Sequence, residues 1–139
     1  MALTTFSGPV RSLNGFIAGH QVATANAINA TATATAAQVA TGYITSTSAL
    51  ATTITLPTGT LLGRALNAVK GTSLDLFIDN TGGADVVTVA VATNGILSTA
   101  AADTPGSFGD LTIAAGPTGI GRFTIMFSSP TAYVFTRTA

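Results

Sequence analysis

The side chains that could take up protons, attack a substrate or hold a metal are few in this 139-residue chain, and they are scattered. His20 is the single imidazole, flanked by Gly19 and Gln21 in a stretch too rich in turn formers to hold a base in a pocket. There is no Cys, which removes disulfides, thiolate nucleophiles and cysteine-ligated zinc together. All five acidic residues are Asp, and two of them, Asp75 and Asp79, share one face of an expected strand. Carboxylates gathered on one face could serve glycoside hydrolysis or bind calcium. Four residues along a strand, however, separate their Cα atoms by roughly 13 Å, too far for one metal. The run Asp79-Asn80-Thr81-Gly82-Gly83 also lacks the ligand spacing and closing Glu of a calcium loop. "GPTGIGR", residues 116–122, has three Gly but no Lys and leads into a strand rather than a helix, so it reads as a turn and not a phosphate cradle. The expectation is a protein that is not an enzyme, with no cofactor and no metal, whose Asp residues solubilise outward strand faces.

The composition points the same way. Only 7% of residues are charged, Glu is absent and the net charge is zero, so the surface must be built from Thr, Ser, Asn, Gly and Ala. A surface of that kind favours association over a dispersed monomer. Five Lys and Arg placed singly make no basic stripe, which argues against a nucleic-acid partner. No apolar run approaches the roughly 20 residues of a membrane-spanning helix. Pro9, Arg11 and Asn14 interrupt the region where the apolar core of a secretory signal would lie.

Several short elements must position whatever the chain presents. Residues 1–40 read as an extended N-terminal arm, turn-rich at first and then an Ala/Thr tract, "ATANAINATATATAAQVAT", whose helix and strand signals balance. Residues 41–139 read as the folded domain. "YITSTSALATTITLP" gives one half-buried strand with Leu50, Thr52, Ile54 and Leu56 on one face, and "PTGTLLGRALNAVKG" the only helix, weakened in its middle by Gly63. "SLDLFIDN" and "VVTVAVAT", joined by "TGGAD", predict a β-hairpin over 73–93, and "GRFTIMFSS" and "TAYVFTRTA" a second one through "SSPT". Strands at such intervals predict an all-β chain, a β-sandwich or jelly-roll-like domain with one short helix. The expected core is Ile54, Leu56, Leu62, Leu66, Leu76, Ile78, Val87, Val89, Val91, Ile113, Phe123, Ile125, Phe127, Val134 and Phe135.

The order "TITLPTGTLLGRAL…KGTSLDLFIDNTGGADVVTVAV…LTIAAGPTGIGRFTIMFSSPTAYVFTR", from Ile54 to the C-terminus, resembles a domain of virion structural proteins of tailed bacteriophages. The opening "TFSGPVRSLNGF" is similar to the start of marine and cyanobacterial phage structural proteins. The loop "STAAADTPGSFGD" is longer than that pattern carries. In length and layout the chain looks most like a capsid decoration (cement) protein, which implies a virion (phage head) location, a homotrimer, and the major capsid protein as partner. A tail or fibre-associated protein is the nearer alternative. A carbohydrate-binding β-sandwich is the farther one, disfavoured because the chain has no Trp and two Tyr to stack on sugars. A hydrolase is weaker still. On this reading Phe6, Val10, Leu13, Phe16 and Ile17 are the arm's anchors and Arg11 its partner for a carboxylate. The bland alternative is that these residues cap the protein's own domain. Ordering such an arm costs roughly 1 to 2 kcal/mol per residue in backbone entropy, so it is expected to become fixed only against a partner.

Overall fold

The computed structural model describes residues 26–97 and 111–138. They form nine strands and two helices: β1 (Ala32–Thr33), α1 (Ala36–Ala40), β2 (Tyr43–Thr45), β3 (Thr52–Thr55), α2 (Gly59–Leu66), β4 (Ser73–Asp79), β5 (Val87–Ala90), β6 (Gly95–Leu97), β7 (Thr112–Ile113), β8 (Ile120–Ser129) and β9 (Ala132–Arg137). Two mixed sheets result, a four-stranded one in the order β1-β3-β5-β7 and a five-stranded one in the order β2-β4-β8-β9-β6. From β1 to β8 the chain alternates between the sheets, so the four-stranded sheet is built from every second strand. The pairings β1 with β3, β3 with β5, β2 with β4 and β6 with β9 are parallel, whereas β4 with β8, β8 with β9 and β5 with β7 are antiparallel. A mainly-β fold was legible; the alternation was not.

That alternation corrects two expected elements. The strand expected across 43–57 is two strands in different sheets, separated by a crossing in which Ser46 and Ser48 are buried and Leu50, expected inside, is exposed. The hairpin expected over 73–93 does not form. β4 pairs along its whole length with β8, from Ser73 opposite Met126 to Asp79 opposite Ile120, while β5 lies between β3 and β7 in the other sheet. Both runs have an apolar inward face, Leu76 and Ile78 on one and Val87 and Val89 on the other. The turn between them hands the chain from one sheet to the other, so the two runs find separate partners. The hairpin expected at "SSPT" does form, β8 against β9, with an irregularity in register between Phe127 and Ser129.

The arm boundary at residue 40 is corrected as well. Within 26–40, Ile28, Ala34 and Val39 are buried in the core, β1 extends the four-stranded sheet, and α1 is a second helix. Its local cause is a capping box: the Thr35 hydroxyl accepts from the Gln38 backbone N–H and the Gln38 side chain accepts from that of Thr35. Asn26 secures the other end, donating from Nδ2 to the carbonyls of Gln38 and Tyr43 at 2.9 and 3.0 Å. α2 stops at Asn67 (φ 49°), short of the expected Gly71, because Asn tolerates the left-handed cap. Val69 is accordingly exposed.

Twelve of the expected core residues are buried, from Ile54 to Phe135, while Leu66 and Val91 pack on the core's margin. Val134 is corrected: Tyr133 and Phe135 point inward, and alternation turns Val134 outward. Tyr133 is fully buried with its hydroxyl donating to the Pro57 carbonyl at 2.9 Å, and burial pushes its pKa up to about 12. Below pH 10 the phenol is neutral folded and unfolded; as pH rises from 10 towards 12 only the unfolded chain ionises, so stability falls. Two pKa units correspond to about 2.7 kcal/mol. Denaturant titrations between pH 9 and 12 should show a fall of this order that is largely absent in Tyr133→Phe.

Candidate interaction surface

The outward face of the five-stranded sheet gathers most of the large apolar side chains that the described residues leave exposed. The registers place Tyr43 beside Phe77 and Phe77 opposite Arg122 in one row. Asp79 and Ile120 form the next row on one side. On the other side come Asp75 opposite Thr124 and then Ser73 opposite Met126, which is itself opposite Val134. Tyr43, Phe77, Ile120 and Met126 are 42, 39, 51 and 53% exposed. Each stands out of phase with the buried Leu76, Ile78, Phe123 and Ile125, so strand alternation puts them in solvent. A clustered apolar group on a chain this short of charge makes this face the candidate contact surface.

The polar side chains on this face hold the aromatic ones in place. The Arg122 guanidinium donates to Asp75 Oδ2 at 2.6 Å and lies over the Phe77 ring, 5.7 Å from its centroid. Thr124 Oγ1 donates to Asp75 Oδ1 at 2.9 Å. The Arg122 hydrogen bond, followed by that of Thr124, holds the Asp75 carboxyl below its usual range. The Tyr43 hydroxyl donates to Asp79 Oδ2 at 2.6 Å, and Thr81 donates to Oδ1 from both its backbone and its hydroxyl. The Thr81 bonds first, then Tyr43, lower the Asp79 pKa, and the same carboxylate raises that of Tyr43. Both acids stay ionised through the neutral range and both are spoken for. The ion pair is largely solvent-exposed and contributes orientation more than stability. Beside it a groove of about 490 Å³ runs between Gly42, Tyr43, Leu74 and Phe77.

This arrangement can bind, and its groups are not set for proton transfer to a common substrate atom. Asp75 and Asp79 do share a face, as expected, but each has its own partners. Among the described residues no three His, Cys, Asp or Glu converge on a metal-sized site. "GPTGIGR" turns through Gly116 (φ 85°) into β8, as its sequence suggested. Phe6, Val10, Arg11, Leu13, Phe16, Ile17 and His20 lie outside the described residues. Alternation puts Phe77 on the polar side of its strand, which is where it stands; Tyr43, Ile120 and Met126 are not among the expected site residues. The signal was available, since an apolar residue in the polar phase of a strand is exposed by construction.

The other sheet presents a contrasting face. Thr53 and Thr55 of β3, Thr88 of β5 and Thr112 of β7 stand in cross-strand rows without a charged side chain among them. Thr31 Oγ1 accepts from the Thr53 N–H at 3.1 Å at its edge. No helix among the described residues is long and apolar enough to cross a membrane. No family model, curated relative or solved structure matches the chain.

Proposed function

We propose that this protein is a structural component of a tailed-phage particle, a decoration protein that binds the major capsid protein lattice of the head and stabilises the shell. The observation that carries the reading is the outward face of the five-stranded sheet, where Tyr43, Phe77, Ile120 and Met126 surround an Arg122–Asp75 pair on an otherwise nearly uncharged chain. A face of aromatic, Met and Arg side chains has the composition of a protein-binding patch. A mainly-β fold in two sheets suits a particle protein, although its four parallel pairings depart from an antiparallel jelly roll, and the resemblance over Ile54 to the C-terminus supports the phage assignment. The function is attachment, summed over many copies: in a homotrimer the later contacts form at the high effective concentration set by the first. The arm anchors Phe6, Val10, Leu13, Phe16 and Ile17, with Arg11, supply reach to the lattice.

The test is stoichiometric. In particles carrying this chain, quantitative mass spectrometry should find it in hundreds of copies, commensurate with the major capsid protein. A dozen copies or fewer would assign it to the tail, and absence from purified particles would remove the reading altogether. In the full chain, Phe6→Ser with Phe16→Ser should reduce attachment to undecorated shells at least tenfold, the equivalent of about 1.4 kcal/mol, while leaving the domain folded.

A further inference from the structure

We propose that the open edge of β4, from Ser73 to Asp75, is a docking site for a short extended segment of a partner chain, which adds a strand there with an apolar side chain beside Leu74 and a basic one beside Asp75. The backbone bonds on either side of β4 fix which of its groups lack partners. Phe127 N–H donates to the Thr72 carbonyl at 2.8 Å, and Asn80 N–H to that of Gly119 at 2.6 Å. Leu74, Leu76 and Ile78, in phase with these two, therefore turn their backbone groups towards β8, and the residues between them turn theirs away. On the far side, Phe77 N–H donates to the Gly42 carbonyl and the Asp79 carbonyl accepts from Ser46 N–H, both at 2.8 Å. β2 runs beside β4 only from Phe77 to Asp79. The N–H and C=O groups of Ser73 and Asp75 thus point off the edge of the sheet with no backbone partner among the described residues.

The neighbouring edge is treated differently. Ala27 bridges Thr45, and Ile28 N–H donates to the Thr45 carbonyl at 2.9 Å, so β2 is covered by the chain's own backbone. Beside Ser73 to Asp75 there is instead the groove of about 490 Å³, with Thr41 and Gly42 also in its wall. Unpaired edge groups are a template for another strand, and Lys, Pro or a bulge commonly blunts them. Residues 73–75 carry none of these. The lane is limited in length, because Gly42 already occupies the place beside Phe77. A guest has room for three residues beside the edge, roughly 10 Å, and pairing with Ser73 and Asp75 supplies up to about four backbone hydrogen bonds. Its middle residue lies on the side of Leu74, which packs on the margin of the core, so an apolar β-branched side chain fits there. The residues on either side of it stand on the outward face. That face holds Asp75 and Asp79 against Arg122, one negative charge in excess, and a Lys or Arg beside Asp75 balances it. Main-chain bonds supply affinity and alternate side chains specificity, which is recognition by strand addition.

The probe is a capped synthetic peptide, Thr-Val-Lys-Val-Thr, whose symmetric pattern serves parallel and antiparallel entry alike. In an NMR titration of the full chain at millimolar peptide, the amide signals of Ser73 and Asp75 should shift, and those of Thr53 and Thr88 on the other sheet should not. The same peptide N-methylated along its backbone should bind at least about tenfold more weakly, since it has lost its donors. Exchanging its Lys for Glu should weaken it as well. Ser73→Pro, which removes an edge N–H that β8 does not use, should weaken the unmodified peptide to a similar degree. Absence of shifts, shifts centred away from Ser73 to Asp75, or equal binding by the methylated peptide overturns the proposal. Hydrogen exchange on the free full chain is the second measurement: the Ser73 and Asp75 amides should exchange at least about tenfold faster than those of Leu74 and Leu76. Equal protection means that the chain's own backbone or a second copy already fills the edge, and it overturns the proposal too. Neither measurement uses particles, so the copy-number result for the attachment reading stands or falls separately.

Discussion

Asn80→Asp is expected to be the most damaging single-atom change in the domain, lowering stability by more than about 3 kcal/mol. Asn80 is fully buried at the end of β4, where the chain leaves the five-stranded sheet. Its Nδ2 donates to the carbonyls of Asp85, Ile113 and Ala114 at 2.9, 3.2 and 3.1 Å. Its backbone N–H donates to Gly119 O and its carbonyl accepts from Gly83 N. One side chain thus ties the end of β4 to the entry of β5 and the exit of β7, both in the other sheet. An Asp there turns a donor into an oxygen facing three carbonyl oxygens. If ionised it is a buried charge among acceptors; if protonated it offers one O–H where three acceptors wait. Each buried acceptor left unsatisfied costs about 1–3 kcal/mol, and the whole domain is stable by only about 5–15 kcal/mol. Denaturant melts should therefore find Asn80→Asp unfolded or sharply destabilised at pH 7, and less so at pH 4, where protonation relieves the charge. A midpoint matching the native protein at pH 7 would mean the carbonyls have other donors.

The same residue shows where the sequence could and could not be read. "DNTGGAD" signals a turn, and a turn is there, but the string does not say that Asn80 is buried and the turn crosses between sheets. Two-residue turns fix the pairing of their flanking strands; a longer connection leaves the partner to whichever strand offers the better inward match. For β4 that partner is β8, with Asp79 opposite Ile120 and Ser73 opposite Met126, and local patterning carries no trace of so distant a pairing. By contrast β8 and β9, with a short turn and strong alternation, were legible as a hairpin. The capping box at Thr35 and Gln38 was also written in the sequence, and it decides the Ala/Thr tract that composition left balanced. The contact surface was half legible. Alternation exposes Phe77 and Met126 as soon as the strands are drawn, but their meeting with Tyr43 and Ile120 depends on a β2-β4-β8 order set by distant parts of the chain.

Gly63→Ala is expected to destabilise the domain by about 1–3 kcal/mol even though it improves the helix. In an isolated peptide, Ala replacing Gly would favour α2 by about 1 kcal/mol. In the folded chain a methyl built on Gly63 would clash with the Pro130 carbonyl oxygen, and one on Gly59 with that of Thr131. Gly59 and Gly63 lie four residues apart on one side of α2, against the turn between β8 and β9. The obstacle is backbone on both counts, and it cannot rotate away as a side chain could. Either the helix lifts from the turn, uncovering Leu62 and Phe127, or the turn moves and drags β9 and Tyr133 with it, and overpacking of this kind costs about 1–3 kcal/mol or more. Arg64→Ala, on the exposed side of the same helix, should stay within about 0.5 kcal/mol of the native protein. A Gly63→Ala variant that melts higher would show the turn to be pliable. The expected loss instead makes the two glycines the reason α2 can lie flat on the hairpin whose other side carries Ile120, Arg122 and Met126. The glycine that weakens the helix in isolation thereby helps hold the strand that builds the contact surface.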